Sequence, residues 1–228
     1  MKREIIFYDM GRSFYNSSLD FQKKIVEEKI SDSSFPDVLI YTEHEPVITL
    51  GKRGGEEFID KSSHYFKEKK PDIIKTSRGG LVTCHMPGQA VIYPVFNLEN
   101  FNISVREYSY SLMDCIEYFL KFFKINVYKS KEYPGVFVNS KKIGNIGLCI
   151  KKNITYHGLS INIKNEKELF DIITPCGLKD IKTTRLIDEI DYIPDMNNVK
   201  KLLVESFLEI FGAELSTDKL SPELQENS

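Results

Sequence analysis

The chain has 228 residues, of which 41% are hydrophobic and 28% charged, and a formal net charge of −2. This composition is typical of a soluble globular protein with a substantial core, and the balanced charge gives no reason to expect nucleic acid or an anionic membrane as a partner. We find no signal-peptide core and no apolar stretch near the roughly 20 residues that span a bilayer. Four scattered cysteines without a CxxC pair (Cys84, Cys115, Cys149 and Cys176) favour free thiols in a reducing cytoplasm and argue against a structural zinc site.

The sequence pattern mixes strands and helices irregularly. Strands are predicted at Ile5–Tyr8, Val38–Thr42, Val47–Leu50, Ile73–Thr76, Leu81–Cys84, Ala90–Phe96, Val136–Val138, Ile143–Ile150 and Leu159–Ile163. Helices are predicted at about Ser17–Ile30, Ser104–Phe123, Glu166–Ile173 and Asn197–Phe211. Ser104 and Glu107 form a capping box that starts the longest helix. Strands predominate without a βαβ repeat, so the pattern predicts an α+β or mixed α/β fold, with a central mixed sheet flanked by helices. We expect one domain over residues 1–214 and a polar tail over residues 215–228.

Cys176 lies in a different kind of place from the other cysteines. It lies in the segment Thr174–Gly177, directly after an apolar run. The proline of this segment ends the preceding element, and its glycine leaves the backbone beside the sulfur open. A thiol on such a turn can act as a nucleophile, although a packed cysteine at a helix end fits the position equally well. Cys115 falls on the buried face of the longest predicted helix and Cys149 in an apolar strand, so both are predicted to be inert.

The densest cluster of chemically capable residues is the segment 77–89. Its glycine pair lets a substrate approach the main chain, and Arg78 can hold a phosphate or carboxylate through two hydrogen bonds. A β-hairpin with polar corners explains the same residues without a ligand, and neither a P-loop nor a dinucleotide fingerprint is present. Cys84 and His85 are adjacent in a predicted strand, so their side chains should point to opposite faces. We therefore expect no Cys–His dyad, and Cys84 is predicted to pack or to form a pocket wall.

A third cluster combines Lys142 and Gly144–Gly147 with the segment Thr155–Ser160. A lysine at a strand edge is usually just solvated. A lysine beside Cys176 would instead stabilise the thiolate and lower the pKa of that thiol from about 8.5. The sequence alone leaves this proximity open.

Several blocks of these residues, in order along the chain, resemble the lipoyl(octanoyl) transferase family. Arg78–His85 followed by Pro87–Gln89 fits the family signature RGGxVTxHxPGQ. Further blocks that resemble the family are Glu43-His44, Thr49–Gly51, Pro134–Val138, Lys142-Ile143, Ile146-Gly147, His157-Gly158 and Thr174–Gly177. The resemblance covers most of residues 38–177, and several blocks in register are far more specific than any one of them.

The resemblance implies an acyltransferase that moves an octanoyl group from acyl carrier protein to a lysine of lipoyl domains. These domains belong to 2-oxoacid dehydrogenases and to the glycine-cleavage H protein. It implies that Cys176 forms a thioester with the acyl chain and that Lys142 lowers the pKa of that cysteine. It also implies a fold similar to the catalytic domains of biotin protein ligase and lipoate–protein ligase. We expect no cofactor and no metal ion, because a thioester donor and a thioester intermediate are close in energy, and we expect a cytoplasmic monomer.

The same resemblance implies an acyl pocket built from three segments. Its residues would be Arg78, Gly79, Gly80, Leu81, Val82, Thr83, Cys84, His85, Asn145, Ile146, Gly147, Gly158, Leu159 and Ser160. Three positions depart from the family pattern: Cys84 replaces an aromatic residue, Met86 a glycine, and Asn145 a small apolar residue. We expect these departures to affect the acyl chain length that the pocket prefers.

Other functions stay open at this point. An amidotransferase would use its cysteine to move octanoyl between lipoyl domains, and an ATP-dependent lipoate or biotin ligase would form an adenylate without any cysteine. A non-catalytic module would bind lipoyl domains and never become acylated. The many lysines between Lys121 and Lys152 further suggest a basic face that docks the acidic carrier protein, whereas the plainer interpretation is scattered, solvated lysines.

Overall fold

The computed structural model describes residues 2–130, 134–174, 181–220 and 224. Its strands are β1 (Arg3–Ser13), β2 (Asp37–His44), β3 (Val47–Leu50), β4 (Asp72–Lys75), β5 (Val82–His85), β6 (Gln89–Val95), β7 (Tyr128–Ser130), β8 (Gly135–Val138), β9 (Lys141–Lys151), β10 (Ile154–Asn162) and β11 (Ala213–Leu215). Its helices are α1 (Tyr15–Ser31), α2 (His64–Lys69), α3 (Leu98–Phe101), α4 (Val105–Lys121), α5 (Glu168–Asp171) and α6 (Met196–Phe211). Within these described ranges, every helix is too short or too polar to cross a lipid bilayer.

A mixed eight-stranded sheet forms the centre of the fold, in the order β11-β1-β2-β6-β10-β9-β8-β7. Strand β1 runs parallel to β2 and β11, and the other neighbours in this sheet are antiparallel. A second sheet has the order β4-β3-β5. The predicted mixed sheet with flanking helices is therefore confirmed. The edge strands β7 and β11 escaped prediction because three residues are too few for a period-two pattern to stand out.

Helices cover both faces of the large sheet, as the alternation of side chains along its strands requires. On one face, Ile5 of β1 belongs to a core cluster with Leu112 of α4 and Phe207 of α6. On the other face, Ile6 of β1 packs with Phe21 of α1. Burying an aliphatic or aromatic side chain of this size stabilises the fold by roughly 1.5–3 kcal/mol, so these two layers hold the sheet in place.

Helix α4 begins at the predicted capping box. Ser104 Oγ accepts a hydrogen bond from the Glu107 N–H at 3.2 Å, and Glu107 Oε2 accepts one from the Ser104 N–H at 2.7 Å. Two backbone donors at the helix start are thereby satisfied. The helix packs closely on β9, where a Cβ atom at Gly144 would lie only 2.8 Å from Ile116 Cδ1. Through Ile116, α4 is thus held against the strand that carries Lys142.

Part of the predicted tail packs on the domain. Leu220 and Leu224 are buried and belong to the cluster that also contains Ile6 and Ile25. Most of their neighbours in residues 215–228 are polar, so the composition of this segment did not indicate that the two leucines are buried. The division into a domain over 1–214 and a tail stays a prediction, but these leucines add to the core.

Candidate active site

A cavity of about 630 Å³ lies where the loop before β5, strands β9 and β10, and the first half of α4 meet. Most of the predicted pocket residues line it, namely Arg78, Gly79, Gly80, Leu81, Val82, Thr83, His85, Asn145, Ile146, Gly147, Gly158, Leu159 and Ser160. Lys142 lines it as well. The structure thus brings three segments that are far apart in sequence to one place.

Cys84 does not line the cavity in the part of the chain that the structure describes. Because adjacent residues of β5 point to opposite faces, His85 faces the cavity region and Cys84 joins a core cluster with Ile48 and Leu169. Burial raises the pKa of the Cys84 thiol well above its ordinary value. Packing was one of the two roles predicted for Cys84, and its inclusion among the pocket residues does not match this geometry.

A β-bulge turns Lys142 toward the cavity. Gly135 of β8 pairs with Asn145 of β9, and Phe137 pairs with Lys142. Gly135 and Phe137 are two residues apart on β8, whereas their partners Asn145 and Lys142 are three residues apart on β9. Strand β9 therefore carries one extra residue, Ile143. Side chains three apart on a regular strand would point to opposite faces. The bulge places Lys142 on the same face as Asn145, while Ile143 is buried in the cluster on the α4 side.

Gly135 makes room for the Lys142 side chain. A Cβ atom at Gly135 would overlap Lys142 Cε and would lie 2.6 Å from Gly144 O and 3.0 Å from Lys142 Nζ. Lys142 is buried, and its Nζ lies 5.8 Å from the centre of the Phe137 ring, in the range of a cation–π contact. The lysine stem therefore occupies the space that any other residue at position 135 would fill.

Cys176 lies outside the described residues, and so do its neighbours 175 and 177–180. The chain resumes beside Lys142. The Lys142 N–H donates to Lys182 O at 2.8 Å, and the Thr184 N–H donates to Lys142 O at 2.9 Å. The segment that carries the predicted nucleophile is therefore tied at its C-terminal end to the backbone of the predicted partner lysine.

Arg78 braces the loop before β5. Its Nε donates to Thr49 Oγ1 at 3.1 Å, one terminal nitrogen donates to Thr49 O at 2.6 Å, and the other donates to Gly79 O at 3.0 Å. A longer bond of 3.3 Å reaches Leu81 O. Both edges of the guanidinium thus face protein oxygens. The bidentate hold on a phosphate or carboxylate that the sequence suggested is not the role this geometry gives to Arg78.

Two histidines, His85 and His157, line the cavity, and His44 lies beside His85. His44 Nε2 lies 2.7 Å from Tyr93 Oη, and His157 Nδ1 lies 3.4 Å from Tyr15 Oη. The ring centres of His44 and His85 are 5.6 Å apart. Burial lowers the pKa of His44 to about 4 and that of His157 to about 3, with the Arg78 charge adding to the effect at His157. All three rings are neutral at pH 7, since burial also holds the pKa of His85 well below its usual range.

The hydrogen bonds fix which nitrogen of His85 carries the proton. Its Nδ1 lies 2.6 Å from Gln89 Oε1, while Gln89 Nε2 donates to Asn162 Oδ1 at 2.9 Å. Because the amide oxygen only accepts, Nδ1 of His85 is protonated and Nε2 holds a lone pair. The histidine cluster is thus a neutral, ordered wall rather than a source of positive charge.

The sequence analysis missed several residues of the cavity lining. Tyr15, Tyr93 and His157 line the cavity but were not among the predicted pocket residues, and neither were the α4 residues Ser109 and Met113. The signal was the polar run Thr155–His157, because of which the predicted strand began too late, at Leu159. These polar side chains are largely buried in β10, so their polarity marks a site rather than a loop.

The predicted basic docking face stays a prediction, and two observations bear on it. Lys129 forms ion pairs with Asp114 at 2.5 Å and with Glu117 at 2.6 Å, which neutralise it. Lys141 and Lys151 stand at opposite ends of the eleven-residue strand β9, on the order of 33 Å apart at 3.3 Å per residue. Lys129 is thus neutralised by its two carboxylate partners, and Lys141 and Lys151 are too far apart to share one small patch.

The mixed sheet and its flanking helices give this chain the fold of lipoate-protein ligase and biotin protein ligase. A solved lipoate-protein ligase A bound with ATP superposes with a TM-score of 0.74 at 13% identity, over 100% of this chain and 92% of that one. Biotin protein ligase from Aquifex aeolicus, in complex with biotin and ATP, gives 0.52 at 15% identity, over 92% and 70%. At such low identities these likenesses concern the fold alone.

Sequence comparison identifies the family. The lipoyl protein ligase A/B catalytic domain matches residues 15–208. An octanoyltransferase of Dictyoglomus thermophilum is 36% identical over 212 residues, which cover 93% of this chain and 89% of the relative. One from Nitratidesulfovibrio vulgaris is 38% identical over 176 residues, covering 77% and 81%. The chain belongs to the lipoyl protein ligase A/B catalytic-domain family and, within it, to the octanoyltransferases.

Proposed function

We propose that this enzyme transfers an octanoyl group from acyl carrier protein to a lysine of lipoyl domains through a thioester on Cys176. The acceptors would be the lipoyl domains of 2-oxoacid dehydrogenases and the glycine-cleavage H protein, in the cytoplasm, with the enzyme acting as a monomer. The octanoyltransferase relatives support the acyl group and the reaction class. The observation that carries the proposal is a buried lysine, Lys142, which a β-bulge turns into a largely apolar cavity.

The chemistry needs two acyl transfers. In the first, the Cys176 thiolate attacks the donor carbonyl, a new C–S bond forms, and the carrier thiol leaves with a proton from Lys142. In the second, the acceptor lysine attacks the Cys176 thioester, an amide bond forms, and the Cys176 sulfur leaves while Lys142 takes up the amine proton. Each bond broken is replaced by one formed, so neither ATP nor a redox partner is required.

Lys142 suits both steps for physical reasons. An ammonium group near a thiol stabilises the thiolate, which is the reactive form, and only a few per cent of an unperturbed thiol is ionised at pH 7. The backbone bonds from Lys142 to Lys182 and Thr184 support this role, since they tie the segment after Cys176 to the lysine. The neutral histidines do not compete with the ammonium group for the thiolate.

Intact mass spectrometry tests the proposal. Incubation with octanoyl carrier protein should add one octanoyl group to the enzyme, and hydroxylamine should remove it. Cys176→Ala should abolish the adduct, while Cys115→Ala, which alters a cysteine on the buried face of α4, should keep it. An adduct of unchanged yield in Cys176→Ala would exclude Cys176 as the nucleophile.

The donor separates the alternatives. An amidotransferase would be acylated by octanoylated H protein and not by octanoyl carrier protein. An ATP-dependent ligase would form an adenylate from free octanoate and ATP without Cys176, and a binding module would retain lipoyl domains without acylation. The relatives' name octanoyltransferase argues against an ATP-dependent ligase and a binding module, and the carrier-protein donor is our proposal, which this comparison of donors tests.

A further inference from the structure

Ser160 presents a buried hydroxyl with nothing to bind in the described part of the chain. The residue is 2% exposed, it lines the cavity, and its Oγ has no hydrogen-bond partner among the described residues. Leaving a buried polar atom unpaired costs free energy, so nearly all such atoms in folded proteins are paired. A ligand that accepts a hydrogen bond at this point would remove the cost.

Strand pairing places Ser160 in a row across four strands. Gly135 of β8 pairs with Asn145, Asn145 pairs with Ser160, and Ser160 pairs with Val91 of β6. Directly paired residues point to the same face, with Cβ atoms about 4.5–5.5 Å apart. Asn145 and Ser160 are therefore immediate neighbours on the face of the sheet opposite α4, and both line the cavity.

The row has a polar end and an apolar end. At Gly135 the missing side chain is replaced by Lys142, whose Nζ lies 3.0 Å from where a Cβ atom would be. The order across the sheet is thus ammonium, amide, hydroxyl and then the apolar Val91. Asn145 and Ser160 stand next to the lysine, so they meet the reactive end of an acyl group and not its hydrocarbon tail.

We propose that the Asn145 amide and the Ser160 hydroxyl donate hydrogen bonds to the carbonyl oxygen of the acyl thioester. This inference rests on the proposed function. When the Cys176 sulfur bonds to the carbonyl carbon, the π electron pair moves onto that oxygen, and it returns when the leaving sulfur departs. Donors held in a buried site stabilise the charge that develops there. A hydrocarbon tail against Ser160 would leave its buried hydroxyl unpaired.

Single substitutions test each donor. We would measure the rate of acylation by octanoyl carrier protein for the wild type, Asn145→Leu and Ser160→Ala, by rapid quench and intact mass. Loss of one oxyanion donor should lower this rate about a hundredfold. Cys149→Ala, on the same strand β9 but outside the cavity lining, is the matched control and should keep the wild-type rate.

The carbonyl stretch of the acyl-enzyme, with ¹³C at the octanoyl carbonyl, reports the hydrogen bonds directly. Hydrogen bonding lowers the stretching frequency, so each variant should move the band to higher frequency. Ser160→Ala should also leave the free energy of unfolding unchanged or raised, because it removes an unpaired buried hydroxyl. A structural role for Ser160 would produce the opposite change in stability.

The outcomes separate this inference from the proposed function. Acyl-enzyme that forms with an unmoved carbonyl band in both variants overturns the assignment of Asn145 and Ser160, whatever the rates, and leaves the proposed function intact. A wild-type enzyme that never becomes acylated overturns the proposed function, and the assignment falls with it. A shifted band with slowed acylation supports both.

Discussion

Gly135→Ala should disable the enzyme by moving Lys142. The new methyl group would overlap Lys142 Cε and lie 3.0 Å from Nζ, whereas carbon atoms in normal contact are about 3.5–4.0 Å apart. The backbone oxygen of Gly144, 2.6 Å from the same position, blocks a simple retreat of the methyl group. The lysine stem is the softer neighbour, so we expect it to shift by about 1 to 1.5 Å.

A shift of that size is enough to change the chemistry. Two unit charges interact with about 332/(εr) kcal/mol, and an effective ε of about 20 suits protein sites. If the ammonium group moves from about 4 Å to about 5.5 Å from the Cys176 sulfur, the attraction weakens by about 1 kcal/mol. The pKa of the Cys176 thiol should then rise by nearly one unit, and the thiolate fraction at pH 7 should fall roughly fivefold to tenfold.

The rate of iodoacetamide alkylation against pH measures this pKa, with the modified peptide followed by mass spectrometry so that only Cys176 is counted. Lys142→Met gives the reference value without the ammonium group, and Gly135→Ala should lie between that value and the wild type. Gly144→Ala is the matched control, because its methyl group would meet the flexible end of Ile116 on the other face. An alkylation midpoint that is unmoved in Gly135→Ala but raised in Lys142→Met would refute the inference that a methyl group at position 135 displaces Lys142. A midpoint that is unmoved in both variants would show that Lys142 does not influence the pKa of the Cys176 thiol.

Three further changes test the fold and the site. Lys29→Met should cost about 3–5 kcal/mol in urea unfolding, because it strands the buried Asp37 carboxylate that Lys29 contacts at 2.8 Å; a cost below about 1 kcal/mol would contradict this. Arg78→Lys should loosen the loop before β5 and raise the KM for the acyl donor, since one ammonium group cannot replace the bonds from the guanidinium edges; an unchanged KM would count against the bracing role. The free energy of unfolding should fall from pH 6.5 to pH 4, because His44 and His157, with pKa values of about 4 and about 3, bind fewer protons folded than unfolded. His44 alone contributes about 3 kcal/mol over that window. A free energy of unfolding that does not change between pH 6.5 and pH 4 would refute the inference that His44 and His157 are buried in their neutral forms.

Much of the scaffold could be predicted from local pattern. The apolar stripe of α4 and the capping box at Ser104 are set by residues within one turn of each other, and the structure has both. The same holds for the opposite orientations of Cys84 and His85, since alternation is a property of any regular strand. These features depend on near neighbours in the chain, which a sequence displays directly.

The role of Arg78 could not be predicted in that way. Its partner Thr49 is 29 residues away, and the pairing arises only when β3 and β5 come together. An arginine before a glycine pair suggests an anion site when it is considered alone, because nothing nearby in the sequence accepts its hydrogen bonds. The backbone oxygens that occupy the guanidinium belong to the fold rather than to the motif.

The bulge at Ile143 is the clearest case of a functional feature that pattern conceals. Counted along a regular strand, Lys142 and Asn145 point to opposite faces, and the lysine would lie on the α4 side among apolar side chains. One extra residue reverses that assignment, and Gly135 on the neighbouring strand then supplies the empty space into which the stem fits. Neither feature is useful alone, because a bulge opposite a larger residue would force the ammonium group out, and a glycine without the bulge would face no lysine. The buried cation is therefore a property of the β8–β9 pair, and a substitution on either strand should be judged by its effect on both.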